Sequence, residues 1–300
     1  MALAKKNTTM PLADWFSTFC GNLQIRYGGT ISTRYKAITR RLNKDFWTTD
    51  SETSHSLYVG SYGRNTAISG FSDLDILFIL PYSTYAQYNY YSGNGQSALI
   101  QAVTRSLQTL YSSTDVGGDG QVVEIHFTDN ITFQILPCFE NQDRSFTYPD
   151  SNGGGSWKTT NPRPEIQEIR SRSIQCNGNL IELCRMARSW RRQWDVPING
   201  LLMDTLAYQF IENYVYRDKS YLYYDFMSRD FFEWLSRQDA DQEYWRAPGS
   251  NQYVWGKGQF QYKAKRCYNI SREAIGHDRK GEQWAANQDW RSIYGSSFPD

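Results

Sequence analysis

The sequence has no surplus of charge of one sign: 32 Lys and Arg against 31 Asp and Glu leave a formal net charge of +1. Proteins that coat long nucleic acid are usually far more basic, so that class is disfavoured, although neutrality is compatible with one local basic groove. Cysteine is sparse. Cys20, Cys138, Cys176, Cys184 and Cys267 are odd in number and contain no CxxC. Neither a disulfide framework nor a zinc site is indicated, and a reducing cytoplasm fits. His55, His126 and His277 lie too far apart for metal-ligand spacing and read as structural or exposed. No run approaches the ~18 apolar residues of a membrane span; the longest, residues 76–80, is strand-sized. The N-terminal MALAKKNTTMPLADWF lacks the apolar stretch of a signal peptide. There is no internal repeat and no low-complexity tail.

Aromatics are abundant, with 22 Tyr and 10 Trp among 300 residues, and most are expected in the core or half-buried. Trp15, Phe16 and Phe19 mark a first helix. Ile31, Tyr35, Ile38, Leu42 and Phe46 recur at spacings of three and four, the apolar stripe of a second; Arg34, Lys36, Arg40 and Arg41 read as its solvated face. The pattern then changes to strands. SLYVG from Ser56 is a short one, and LDILFILP a buried one ended by Pro81. Leu99, Val103, Leu107 and Leu110 predict a helix. VVEIHF and ITFQILP predict a hairpin turning at Asp129-Asn130. SNGGGS at 151–156 reads as a linker, and Pro162 and Pro164 exclude a helix before Glu165. The remainder is mostly helical. Leu180, Leu183, Cys184, Ala187 and Trp190 form one stripe, and further helices are predicted near 201–214, 224–237, 259–275 and 283–294. A mixed front half, 1–160, followed by a helical back half, 161–300, is the α+β class.

The chemistry concentrates in GSYGRNTAISGFSDLDILFIL, residues 60–80. Gly60-Ser61 ends a strand and opens a segment able to form a helix. Asp73-Leu74-Asp75 follows after eleven residues and leads into the apolar strand. Residues i and i+2 of a strand share a side, so Asp73 and Asp75 project together. Two carboxylates this close repel unless a cation lies between them, and Mg²⁺ prefers such oxygens. Gly60 lets a phosphate approach the backbone, and the Ser61 hydroxyl and nearby N–H groups offer it hydrogen bonds.

G-S-x(11)-D-x-D resembles the signature of polymerase-β-like nucleotidyltransferases. GSYGRNTAISGFSDLDILFILP, FQILPCFE, FTYPD, GSWKTTNP and LCRMARSWRRQW occur in order. Together they resemble the bacterial cyclic-oligonucleotide synthases, relatives of cyclic GMP–AMP synthase and of oligoadenylate synthase. The resemblance spans nearly the whole chain, to the closing RSIYGSSFP. It implies a polymerase-β-like catalytic sheet with flanking helices packed against a C-terminal helical lobe, the active site lying in the cleft between them. It implies two Mg²⁺ ions (Mn²⁺ as a substitute) bridged by Asp73 and Asp75, with ATP, GTP or other NTPs as substrates. The implied product is a cyclic di- or trinucleotide that signals phage infection to a separate effector protein in the bacterial cytoplasm, with no membrane or long nucleic acid required.

The resemblance also implies a third acid two residues after Thr132, where this chain has Gln134. An amide oxygen can touch a metal but carries no charge. With the hairpin turning at Asp129-Asn130, Gln134 is expected opposite Ile125, and Glu124, the nearest acid on the partner strand, is expected to face away and not to substitute. Gln134 then reads either as an isosteric substitution introduced to hold substrates unreacted, or as a natural variant with weakened or repurposed chemistry. Poor turnover is expected, rising by orders of magnitude in Gln134→Glu.

For the triphosphate, the resemblance points to a basic residue on LCRMARSWRRQW, Arg185 or Arg188, with Arg185 favoured; Arg64, three residues after Ser61, is a further candidate, an ion pair being the alternative for each. Lys158, Thr159 and Asn161, in a segment expected to join the lobes, are candidates for base or ribose contacts, and Tyr221 and Tyr223 for stacking. Two other functions stay open: a polymerase-β-type transferase acting on RNA or protein, and a non-catalytic nucleotide sensor, which Gln134 makes conceivable.

Overall fold

A computed structural model describes residues 12–70 and 73–300. Residues 1–11 of the stretch read for a signal peptide, and residues 71–72 before Asp73, lie outside the described residues. After α1 (Leu12–Leu23), the chain forms α2 (Gly28–Leu42), a π-helical turn (Asn43–Trp47), β1 (Ser56–Tyr58), α3 (Gly60–Gly63) and β2 (Leu74–Ile79). Next come α4 (Tyr82–Asn89), α5 (Gly95–Leu110), β3 (Asp115–Asp119), β4 (Val122–His126), β5 (Thr132–Glu140), β6 (Phe146–Asp150) and β7 (Ser156–Thr160). The helical half holds α6 (Arg163–Gln175), α7 (Asn179–Gln193), α8 (Gly200–Glu212), α9 (Tyr224–Ser236), the hairpin β8 (Tyr244–Arg246) and β9 (Tyr253–Trp255), α10 (Gln261–Arg279) and α11 (Gln283–Tyr294). The α+β class is observed.

Two compact units divide the chain, one being Ile25–Gln167 and the other joining α1 to Glu168–Asp300. In the first, a sheet runs in the order β1-β2-β5-β4-β3, with β6 pairing the end of β5 and β7 pairing β6. The β2/β5 pair is parallel, and the other neighbours are antiparallel. Alternation assigns the faces. Leu74, Ile76 and Phe78 of β2, Val123 and Ile125 of β4, and Phe133 and Ile135 of β5 point to one side. There they pack with Ile31, Ile38 and Leu42 of α2 and Leu99, Val103 and Leu107 of α5. On the other face Leu77 and Cys138 pack with Val59 and Phe146. In the second unit, α1 has its own partners: Phe16 meets Trp290 at 5.1 Å and Phe298 at 5.4 Å, and Phe19 meets Tyr294 at 4.7 Å. The expected front half, 1–160, therefore differs from the observed unit at both ends.

The sequence reading departs from the structure in four further places. SNGGGS is not a slack linker. Gly153, Gly154 and Gly155 have positive φ, and a Cβ on Gly155 would lie 2.6 Å from Asn94 Oδ1 and 2.5 Å from Gln96 Oε1. The turn is packed, and GSWKTTNP continues as sheet strand β7. Helix α6 starts at Arg163, because Pro164 falls in a first turn, where its missing N–H costs nothing. Strand β3 escapes a sequence reading because DVGGD has no apolar alternation; its glycines allow close approach, a Cβ on Gly118 lying 2.6 Å from Ile100 Cγ2.

The fourth departure is the β4/β5 register. His126 pairs with Thr132, so the loop is 127–131, centred on Asp129, and Gln134 stands opposite Glu124 rather than Ile125. A one-residue change of register exchanges faces, so Glu124 lies on the Gln134 side. The loop is held in this form by local chemistry. Phe127 N–H donates to Ile131 C=O, and Asn130 takes a left-handed φ of 62°. Arg34 of α2 pairs with Asp129 at 2.9 Å and lies over the Phe127 ring at 3.7 Å.

Candidate active site

The strand β1 runs out at Tyr58, and the chain turns at Gly60 with φ +58° into α3. This glycine is obligatory on two counts. Its φ disfavours other residues, and a Cβ there would lie 1.7 Å from Asp75 Oδ2. The Asp75 carboxylate therefore rests directly against the Gly60 backbone. The Ser61 carbonyl accepts from the Thr66 and Ala67 N–H groups, which closes the turn after α3. Gly60, Ser61 and Asp75 are thus brought together as the spacing implied.

Asp75 pairs in register with Gln134, and Gln134 with Glu124. The three side chains form a row across β2, β5 and β4 on the face opposite the α2/α5 core. Gln134 Nε2 donates to Glu124 Oε1 at 2.7 Å. The other oxygen, Oε2, lies 3.2 Å from His126 Nε2, and His126 Nδ1 is 3.2 Å from Thr132 Oγ1. Asp73, just before β2, belongs to the same electrostatic group. Crowding by protein atoms pushes its carboxyl pKa up, the Glu124 charge adds to the rise, and His126 opposes it. Beside Asp73 a cavity of about 320 Å³ is lined by Tyr27, Ile31, Ile68, Ser69 and Ile131 among others.

Carboxylate oxygens are the donors a hard divalent cation prefers, and the glycine at 60 seats the Asp75 carboxylate directly against the backbone. These residues fit Mg²⁺. Among the described residues no three His, Cys, Asp or Glu side chains already converge as a metal-binding cluster.

The basic candidates separate. Arg64 is buried and lies 3.8 Å from buried Glu165, and Arg188 is buried against Asp204 at 2.8 Å. Both take up the ion-pair alternative, and separating such a buried pair leaves an uncompensated charge. Arg185, in the helical unit, lies 3.4 Å from Glu182, whose pKa burial raises. Lys158 bonds Asp150, which holds that carboxyl down at about 2 and raises the lysine. Asn161 Oδ1 is buried with no hydrogen-bond partner. Tyr221 packs on Tyr224 at 4.8 Å and Tyr223 on Tyr216 at 4.9 Å, as parts of aromatic clusters. His55 stacks on Trp47 and His277 bonds Asp289. All five cysteines are free and buried.

Sequence reasoning missed Glu124 and His126 as neighbours of the carboxylate pair. The alternation VVEIH already set Glu124 apart from the apolar face. Only its register against β5 was misjudged.

Comparisons with known proteins bear on the family and the fold. Residues 10–173, more than half of the chain, match the family model of the Second Messenger Oligonucleotide or Dinucleotide Synthetase domain. A relative from Bacillus cereus (strain VD146), named a probable cyclic nucleotide synthase, is 22% identical over 275 residues, covering 80% of this chain and 81% of its own. Among solved structures, the Bradyrhizobium diazoefficiens nucleotidyltransferase CdnG in complex with GTP has a TM-score of 0.68 at 13% identity, covering 96% of this chain and 95% of that one. Escherichia coli MS115-1 CdnC with ATP has a TM-score of 0.66 at 13% identity, covering 96% and 99%. Vibrio cholerae DncV, a cyclic AMP–GMP synthase, has a TM-score of 0.64 at 14% identity, covering 96% and 87%. These likenesses show the polymerase-β-like fold of the cyclic-oligonucleotide synthases, and with the family match the chain belongs to the second messenger oligonucleotide or dinucleotide synthetases, a nucleotidyltransferase family.

Proposed function

We propose that this chain joins nucleoside triphosphates into a cyclic di- or trinucleotide second messenger, with Mg²⁺ as cofactor and Mn²⁺ as a substitute. The observation that carries this reading is the seating of Asp75 against Gly60, which opens the short helix Gly60–Gly63, with Asp73 two residues before Asp75. Asp73 and Asp75 would hold the metal. A pair of such ions lowers the pKa of an attacking hydroxyl and neutralises the charge of the donor triphosphate and its leaving group. The chain's own residues orient and enclose. Gly60 seats the Asp75 carboxylate, and Ser61 beside it is the candidate to offer a phosphate its hydroxyl. Arg185 is the candidate for the triphosphate, and Lys158 and Asn161 for base or ribose. The relatives solved with ATP and GTP favour those two nucleotides. The product would act in bacterial anti-phage defence, in the cytoplasm, through a separate effector protein. No helix among the described residues is long and apolar enough to cross a membrane.

The expectation of poor turnover assumed that Glu124 faces away from Gln134. The observed register removes that premise about Glu124, while the neutral Gln134 that suggested impaired catalysis or a non-catalytic sensor is unchanged. The test is incubation of the unmodified chain with labelled ATP, GTP, CTP and UTP plus Mg²⁺, then phosphatase treatment and mass analysis. A phosphatase-resistant cyclic product is expected. Open-chain extension of an added RNA, or labelling of protein, would move the chain to another branch of the polymerase-β-like transferases. Nucleotide binding without any product would support the sensor.

A further inference from the structure

The metal-holding set implied by the family needs negative charge on β5, and this chain has the neutral Gln134 there. The structure places a carboxylate one strand further out, on the same face and in the same row, 2.7 Å from the Gln134 amide. We infer that Glu124 supplies the third carboxylate of the metal site, and that Gln134 is the positioning residue that aims it. The inference rests on the function proposed above and names a residue of that same site.

Three observations support it. First, charge: with Gln134 neutral, Glu124 is the acid that faces Asp75 in register, through Gln134, across β2, β5 and β4. Second, reach: two strand spacings of ~4.8 Å separate the Asp75 and Glu124 backbones, so the outer position needs the longer acid, and it is Glu rather than Asp. Third, orientation: the Gln134 amide engages Glu124 Oε1 and His126 flanks Oε2, so the side chain is held against Gln134, the neighbour of Asp75 in the row. An acid at 134 in addition to Glu124 would set two carboxylates in direct contact, which is unfavourable without further cation. A neutral amide there is what a carboxylate at 124 requires.

The experiment uses the full chain, its variants Glu124→Gln, Glu124→Asp and Gln134→Glu, and the double exchange Glu124→Gln with Gln134→Glu. Mn²⁺ binding is titrated by electron paramagnetic resonance, alone and with a non-hydrolysable ATP analogue, and product formation is measured in parallel. Glu124→Gln keeps an amide able to bond Gln134, so unchanged thermal unfolding without metal is the control for folding. Expected for Glu124→Gln are Mn²⁺ affinity weaker by at least about tenfold, the lower end of what even outer-shell partners of metal ligands cost, and turnover lower by on the order of a hundredfold. Glu124→Asp, which retains the charge but loses the reach, is expected to show much of the same loss. Gln134→Glu is expected to lower turnover, and the double exchange to recover the Mn²⁺ affinity lost in Glu124→Gln.

Unaltered Mn²⁺ binding in Glu124→Gln would overturn the inference. So would a gain of orders of magnitude in Gln134→Glu, which would return the missing charge to position 134. Failure of the proposed function looks different: the unmodified chain would bind Mn²⁺ and make no nucleotide product, while the Mn²⁺ titrations would still decide the role of Glu124.

Discussion

Gly60 carries the most consequence for its size. A methyl group there would occupy space 1.7 Å from Asp75 Oδ2, at a φ of +58°. In Gly60→Ala the carboxylate must leave its seat, and displacements of about 1 Å at a reacting centre cost on the order of a hundredfold. Loss of product formation by that factor, measured as pyrophosphate release with thermal unfolding as the control, is the expected outcome. Asp225, in the first turn of α9, makes a different prediction. Burial raises its carboxyl from the ordinary 3.8 to about 6, and its Oδ1 has no hydrogen-bond partner. The folded state therefore holds the proton more tightly than the unfolded state does. The associated stability is complete below about pH 4 and is lost as pH rises through about 6, a difference on the order of 3 kcal/mol. Asp225→Asn is expected to be more stable than the parent at pH 8 and to show no such gain near pH 4, as read from urea unfolding at the two pH values.

At the scale of elements, the hairpin of β4 and β5 decides the composition of the site. Its loop, 127–131, depends on Asn130 in the left-handed region at φ 62° and on Arg34 bound to Asp129. A β-branched residue at Asn130 meets a steric penalty of roughly 1–2 kcal/mol, while glycine meets none. Asn130→Val should lower the unfolding midpoint and Asn130→Gly should leave it close to the parent value, by calorimetry. The strands themselves were legible: LDILFI, VVEIH and TFQILP alternate or run apolar, and each occupies a strand. Their pairing was not, because alternation assigns faces within a strand and leaves the register between strands to the loop. A turn centred half a residue later exchanges Glu124 for Ile125. The glycine-rich β3 and the packed turn at 151–156 were illegible for the opposite reason. Their glycines serve close contacts with α5, Asn94 and Gln96, which local composition reads as slack.

Over the whole molecule, the order of elements along the chain does not follow the division into units. Helix α1 precedes the sheet in sequence but packs with the helical half. There Phe16, fully buried, touches the rings of Trp290, Phe298 and Tyr224. Truncation of such a side chain costs about 3–5 kcal/mol. Phe16→Ala should therefore destabilise the helical unit strongly, seen as an earlier transition in a thermal melt. Charge is distributed as pairs rather than as a field: Arg34, Arg41, Arg172 and Arg188 each face a carboxylate within 3.0 Å. This agrees with a formal net charge of +1.

The sequence by itself determined the α+β class, the alternation within each strand it revealed, and the G-S-x(11)-D-x-D spacing with the further segments that together point to the family. These depend on local periodicity and on residues close together in the chain. Tertiary structure alone decided that Arg64 and Arg188 are enclosed with Glu165 and Asp204, and that Glu124 stands beside Gln134. Each of these depends on which distant residue comes to lie opposite. That is settled by packing and loop conformation, and a one-residue difference there moves a carboxylate from one face of the sheet to the other.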